Sequence, residues 1–212
     1  MEVGLATAAL DVLGIRLTLD ANPIGLAARR ERRDLVHARC CAYAARELKK
    51  RGWEVRMEVE IGEGRFRGWI DLLAYRPSDG ALLVIEVKTE IDDVGRIVRS
   101  LGWYVRSSRD AGRALGWRPR VILPVLLALA TVETDARFAA GGDLLRNELS
   151  GGAGDLAAWI DDATAAIPRP TIALIDPVTR RRAWLWRTRS DGRRSPAPYR
   201  DYRDAAGRLS GR

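Results

Sequence analysis

Gly68-Trp69-Ile70-Asp71-Leu72-Leu73-Ala74 and Leu83-Val84-Ile85-Glu86-Val87-Lys88-Thr89 are two apolar runs of strand length. Between them Arg76-Pro77-Ser78-Asp79-Gly80 gathers turn formers: proline to fix φ, aspartate to bond its own backbone, glycine to take up positive φ. Apolar residues at both parities imply strands covered on both faces. Even so, the runs contain Asp71, Glu86 and Lys88. An unpaired buried carboxylate costs several kcal/mol or takes up a proton, so charges in such strands call for a partner or a metal ion. Strand side chains alternate, which puts Glu86 and Lys88 on one face, and a reversal through 77–80 lays Asp71 beside them.

Outward from this pair the periodicity changes. Leu35, Ala38, Ala42, Ala45 and Leu48 recur at steps of three and four, predicting a helix over 31–51 that Lys49, Lys50, Arg51 and Gly52 close. Residues 53–61 alternate apolar and polar, a strand with one polar face. Beyond the pair, Ile91, Val94, Val98, Leu101 and Val105 form a second helical stripe, ended by Leu115-Gly116-Trp117-Arg118-Pro119. A further buried strand is expected at 121–130, with Pro124 at its start or at a bulge. Helices are expected near 135–149 and 155–167, then a hairpin of 171–175 and 182–188 around Asp176-Pro177-Val178-Thr179. A helix at 2–13 and a short strand at 15–19 precede the whole.

The fold class read from this order is α/β: a mixed central β-sheet flanked by helices, with a C-terminal β-hairpin and an Arg/Pro-rich tail. Residues 1–28 are an N-terminal linker helix and strand, 29–130 the core, 131–188 C-terminal helices and hairpin packed on it, and 189–212 a basic tail. No run approaches the roughly 20 apolar residues of a membrane span. With no signal pattern at the N-terminus, a cytoplasmic protein is expected. Cys40 and Cys41 are adjacent, lack metal-ligand spacing and read as buried thiols.

The net charge of +8 is unevenly placed. From residue 169 onward there are 12 Arg and 4 Asp, so the whole excess lies in the last fifth of the chain and the rest sums to zero. A basic segment of this kind suits phosphate neutralisation, making DNA the expected partner, with a solvated tail as the competing view. Arg180, Arg181, Arg182, Arg193 and Arg194 are candidate contacts, as are Trp184 and Trp186, whose interleaving with arginine suits stacking on unpaired bases. The other tryptophans, Trp69 included, read as core or groove lining. A membrane partner is not expected, and a homodimer is left open.

Two converging carboxylates suit Mg²⁺ or Mn²⁺, hard ions that take one or two carboxylates, retain waters and accept a phosphate oxygen. Asp71 and Glu86 are the candidate ligands, with the backbone carbonyl of Val87 as a third. Lys88 is placed to orient or deprotonate a water and to stabilise developing charge. The bland alternative makes Asp71 a strand-end residue bonded to backbone and Glu86–Lys88 a surface ion pair.

Asp71 followed by Glu86-Val87-Lys88 resembles the PD-(D/E)xK phosphodiesterase superfamily, whose pattern is an acid on one strand and acid-x-Lys on the next. Ile70 stands where the name of the motif has proline. The resemblance covers roughly 31–130 and implies a restriction-endonuclease-like core and Mg²⁺-dependent cleavage of DNA, with Asp71, Glu86 and Lys88 catalytic. In that superfamily the first helix often lends a further acid. Asp34 is the first candidate, Glu60 on the preceding strand another, and His37, three residues beyond Asp34, a helper. More narrowly, the two runs together with Val12-Leu13-Gly14-Ile15-Arg16-Leu17 and Arg33-Asp34-x-x-His37 resemble the C-terminal module of actinobacterial helix-turn-helix proteins with a restriction-endonuclease-like domain. Here the helix-turn-helix is absent. The alternative function is therefore a non-catalytic DNA- or partner-binding module, a remnant of a transcriptional regulator.

Overall fold

A computed structural model describes residues 23–63, 66–188 and 195–210, with side chains from residue 35 onward except those of 66, 146 and 210. The expected helix at 2–13, the strand at 15–19, the side chain of Asp34, and Arg193 and Arg194 lie outside these residues. The chain divides into two compact units, Met1–Arg32 and Arg33–Arg212. The second holds the sheet and is the one described below.

Five strands lie in sequence order across one mixed sheet: β1 (Glu54–Glu63), β2 (Phe66–Arg76), β3 (Ala81–Lys88), β4 (Val121–Leu129) and β5 (Thr171–Ile175). The first three pair antiparallel and the last two join in parallel. Helix α1 (Pro23–Lys49) precedes β1, and α2 (Val94–Ala114) makes the crossover that the parallel β3–β4 pair requires. Then come α3 (Val132–Ala140), α4 (Gly142–Glu148), α5 (Ala153–Asp161) and α6 (Tyr202–Ser210).

Both faces of β3 and β4 are covered, as their unbroken apolar runs require. On one face α1, α5 and α6 pack Val36, Leu48, Leu156, Trp159 and Leu209 against Leu83, Ile85, Leu127 and Ile175. On the other, Ile97 and Leu101 of α2, Phe138 of α3 and Leu145 of α4 cover Leu82, Val84, Leu126 and Leu174. Pro124 stands one residue before the β5 pairing begins at Val125↔Thr171, where only one flank of β4 is laddered.

The turn between β2 and β3 forms where expected. Gly80 holds φ +75° and its N–H donates to the Arg76 carbonyl at 3.0 Å. The buried Arg76 guanidinium lies over the rings of Trp53 and Trp159, 4.7 Å from each centroid, and pairs with Asp79 at 2.8 Å. Beyond this hairpin the β1–β2 ribbon rolls over. Val55, Leu72 and Ala74 belong to the α1 side, whereas Ile61 and Ile70, at the same parities, belong to the α2 side. The switch falls at Glu58, held at φ +52°, and at Asp71, where the ladder skips a pair between Met57↔Leu72 and Val59↔Ile70.

Three expectations are corrected. The helix expected over 135–149 is two helices meeting at Gly141, the C-cap of α3 and N-cap of α4. The helix expected over 155–167 stops at Asp161, because Asp162 turns to extended backbone and bonds Thr164. Residues 182–188 do not form the second strand of a hairpin: a single bridge, Leu174↔Trp186, carries both backbone bonds to β5. The basic C-terminal segment ends in a helix, α6, with Tyr202, Ala205, Ala206 and Leu209 in the α1-side core.

Candidate functional site

The antiparallel β2–β3 ladder ends at Leu72↔Ile85, one step before Asp71 and Glu86 would face each other. The roll-over of the ribbon draws β2 away from β3 there and frees the N–H of Val87. The carboxylate of Asp71 accepts it, Val87 N donating to Oδ2 at 2.7 Å. Asp71 is thereby fixed in the fork where the two strands part. The bland reading of Asp71 as a strand-end acceptor is correct as far as this bond goes, but His37 also pairs with it and its charge acts on Glu86.

His37, on α1, approaches from the opposite side. Its Nε2 lies 3.5 Å from the same Oδ2 and 3.2 Å from the Val87 carbonyl oxygen. The hydrogen bond to Asp71, with a lesser contribution from the Cys41 contact, outweighs burial and raises the His37 pKa to about 10. The ring is thus an imidazolium at neutral pH, a cation placed between a carboxylate and a carbonyl. Cys41, 3.8 Å from the ring, has its own pKa raised by burial and stays a thiol.

Glu86 is 4% exposed, and its Oε1 accepts from the ammonium of Lys88. Its Oε2 is buried without a hydrogen-bond partner. Burial first, and the negative charge of Asp71 second, raise its pKa to about 7, against the pull of Lys88. A surface ion pair is excluded for Glu86, though Lys88 keeps a third of its side chain exposed. Both line a cavity of about 400 Å³ whose wall also takes in His37, Val87, Thr89, Glu90, Asp92, Arg96, Ser100 and Tyr104, while Asp71 stands outside this lining. Burial and the charges of Glu86 and Asp71 push the Tyr104 pKa up to about 12, so its hydroxyl remains a donor.

The structure therefore brings together Asp71, Glu86, Val87, Lys88 and His37. It places Glu60 elsewhere: that carboxylate is half-exposed on β1 and pairs with Arg67 at 3.4 Å. Trp184 and Trp186 are 4% and 7% exposed, buried in the two cores and not offered to a ligand. Arg181 covers the Trp186 ring at 4.4 Å, while Arg180, Arg181 and Arg182 stay on the surface. Sequence reading passed over Arg96, Ser100 and Tyr104. Their signal was there: three polar residues at four-residue steps on α2 form a stripe beside its apolar one. Among the described residues no cluster of three His, Cys, Asp or Glu side chains forms a ready metal site.

Comparison with protein-family models and with curated proteins returns no match to this chain. What the site does rests on its own chemistry.

Proposed function

We propose that this chain is a divalent-metal-dependent phosphodiesterase acting on DNA, built on the restriction-endonuclease-like core of the PD-(D/E)xK superfamily. The observation that carries the reading is Glu86: a carboxylate 4% exposed at a polar cavity, with one buried oxygen that makes no hydrogen bond and with the Asp71 carboxylate near enough to oppose its charge. Such a group is costly in a merely structural role. The element order αβββαβ over α1 to β4, with both carboxylates at the fork of β2 and β3, supports the same reading.

The residues fit a divalent cation. Asp71, Glu86 and the Val87 carbonyl would hold Mg²⁺ or Mn²⁺, and His37, already within 3.2–3.5 Å of two of these oxygens, is placed to join them once deprotonated. Mg²⁺ or Mn²⁺, when bound, supplies Lewis-acid neutralisation of phosphate charge and lowers the pKa of water. Asp71 is oriented for this by the Val87 N–H, and Glu86 by Lys88. Lys88, part-exposed at the cavity, can leave Glu86 to orient a water or donate to a phosphate oxygen. The Tyr104 hydroxyl and Arg96 guanidinium, which line the same cavity, would offer hydrogen bonds to the rest of the backbone.

The test is direct. Purified protein incubated with single-stranded, duplex and branched DNA in Mg²⁺ or Mn²⁺ is expected to cleave at least one form. Glu86→Ala and Lys88→Ala should each reduce the rate a hundredfold or more, in the range that oxyanion and acid–base contributions span. Equal amounts of intact substrate with wild type and Glu86→Ala, across all forms and both metals, would refute the catalytic reading. DNA binding that survives Asp71→Ala and needs no divalent ion would leave the non-catalytic module in its place.

A further inference from the structure

Trp69 is the most exposed large aromatic side chain among the described residues, at 54%, and it stands two residues before Asp71 on the same strand. Its direction is fixed by its neighbours. Gly68 faces α2, since a Cβ there would lie 2.4 Å from the Trp103 ring, and Ile70 is fully buried on the same side. Strand alternation then turns Arg67 and Trp69 to the outer face of the β1–β2 ribbon. Glu60, directly opposite Trp69 in the register, shares that face and pairs with Arg67 at 3.4 Å.

The odd positions of β2 thus read cation, indole, carboxylate: Arg67, Trp69, Asp71. Each step is roughly 7 Å, two residues of extended chain. A solitary exposed apolar residue needs no explanation on its own. An indole on a charged ribbon, between an exposed guanidinium and the fork of the candidate site, has a specific chemical match. Its face stacks on a base, while Arg67, exchanging Glu60 for a phosphate, addresses one neighbouring phosphate and a cation held by Asp71 would address the other. Duplex bases have no free faces to offer, so the match is to an unpaired nucleotide.

We infer that Trp69, with Arg67, forms a stacking subsite for an unpaired base next to the phosphate addressed by Asp71 and Glu86, making single-stranded or locally opened DNA the preferred substrate. This rests on the proposed function for its ligand, though not for its readout. The base-stacking surface is the one on β2. Trp184 and Trp186, which the sequence offered for that role, are buried.

The test measures binding, not cleavage. Fluorescence anisotropy of labelled oligonucleotides is followed with the Glu86→Ala protein, alone and combined with Trp69→Ala, Trp69→Phe or Arg67→Ala. Because Trp69 is exposed, these variants should fold, as circular dichroism will check. Trp69→Ala is expected to weaken single-strand binding roughly ten- to hundredfold, with Trp69→Phe restoring most of it and blunt duplex little affected. Arg67→Ala should lower the salt dependence by about one phosphate contact. Unchanged single-strand affinity in Trp69→Ala, or an equal loss on single strand and duplex, overturns the inference. So does a dimer in wild type that Trp69→Ala converts to monomer without any change in DNA affinity. Should the wild type bind single strands through Trp69 yet cleave none, the catalytic proposal fails and the stacking subsite stands as a binding site alone.

Discussion

Glu86 shows how much a single buried group can set. Burial and the nearby Asp71 hold its folded pKa at about 7, against about 4.5 for an ordinary glutamate. Below pH ~4.5 it is protonated whether the chain is folded or not, so its favourable contribution is fully present there. Between about 4.5 and about 7 the unfolded chain gives up the proton while the folded one keeps it, and stability falls. Above that window the loss is complete, on the order of 3 kcal/mol. Glu86→Gln is therefore expected to flatten the urea midpoint between pH 4.5 and 7 and to be more stable than wild type at pH 8. His37 acts in a different window, its raised pKa stabilising the fold at neutral pH and losing effect as pH rises towards 10. Saturating Mg²⁺ at pH 8 should raise the wild-type midpoint and move that of Glu86→Gln less, since a ligand that binds only the folded state stabilises by its occupancy. A wild-type profile already flat between pH 4.5 and 7 would show that Glu86 ionises freely.

At the scale of elements, the β1–β2 ribbon and its roll-over at Glu58 and Asp71 shape the candidate site. Without that rotation the ladder would continue past Leu72↔Ile85, and the Val87 N–H would bond backbone instead of Asp71. The rotated half lies on α2 only because Gly68 lets the Trp103 ring touch backbone. Gly68→Ala would press a methyl into that ring, and the resulting overpacking is expected to cost about 1–3 kcal/mol, read as a lower urea midpoint. A midpoint unchanged from wild type would mean that the ribbon is not seated against Trp103. Much of this region was legible in the sequence, because apolar runs with three misplaced charges are a physical contradiction that partner groups or a ligand must resolve. The roll-over was not: it depends on Glu58 taking a left-handed conformation, which side-chain alternation alone does not reveal. Nor was the fate of Trp184 and Trp186. Arginine-rich surroundings suggested a surface, but apolar contacts with Tyr43 and Leu174 outweighed them. His37 was legible as a neighbour of the site, yet its seat between Asp71 and the Val87 carbonyl needed the packing of α1 on the sheet.

For the whole molecule, the basic C-terminal segment changes its meaning. Its charge suggested a basic tail outside the core, offered to DNA or merely solvated. Instead α6 lies in the α1-side core, with Leu209 fully buried and its carbonyl accepting from Arg39 of α1. One turn of α1 thus has two tasks: Arg39 holds α6, and His37 holds Asp71 and Val87. Deleting the segment would strip apolar surface from α1 and loosen the residue that reaches the site, so a loss of DNA binding after truncation would not show that the arginines touch DNA. A point change separates the effects. Leu209→Ala keeps every charge and leaves a cavity beneath α1, at an expected cost of about 2–5 kcal/mol. Hydrogen exchange should then quicken in α1 and α6 more than in α2, which packs on the other face. If packing carries the coupling, His37 loses its fixed contact with Asp71 and its imidazole pKa falls from about 10 towards the ordinary value, a shift that NMR titration of the single histidine reads directly. A His37 titration identical to wild type, with α1 exchange unchanged, would show that the two tasks of α1 are independent.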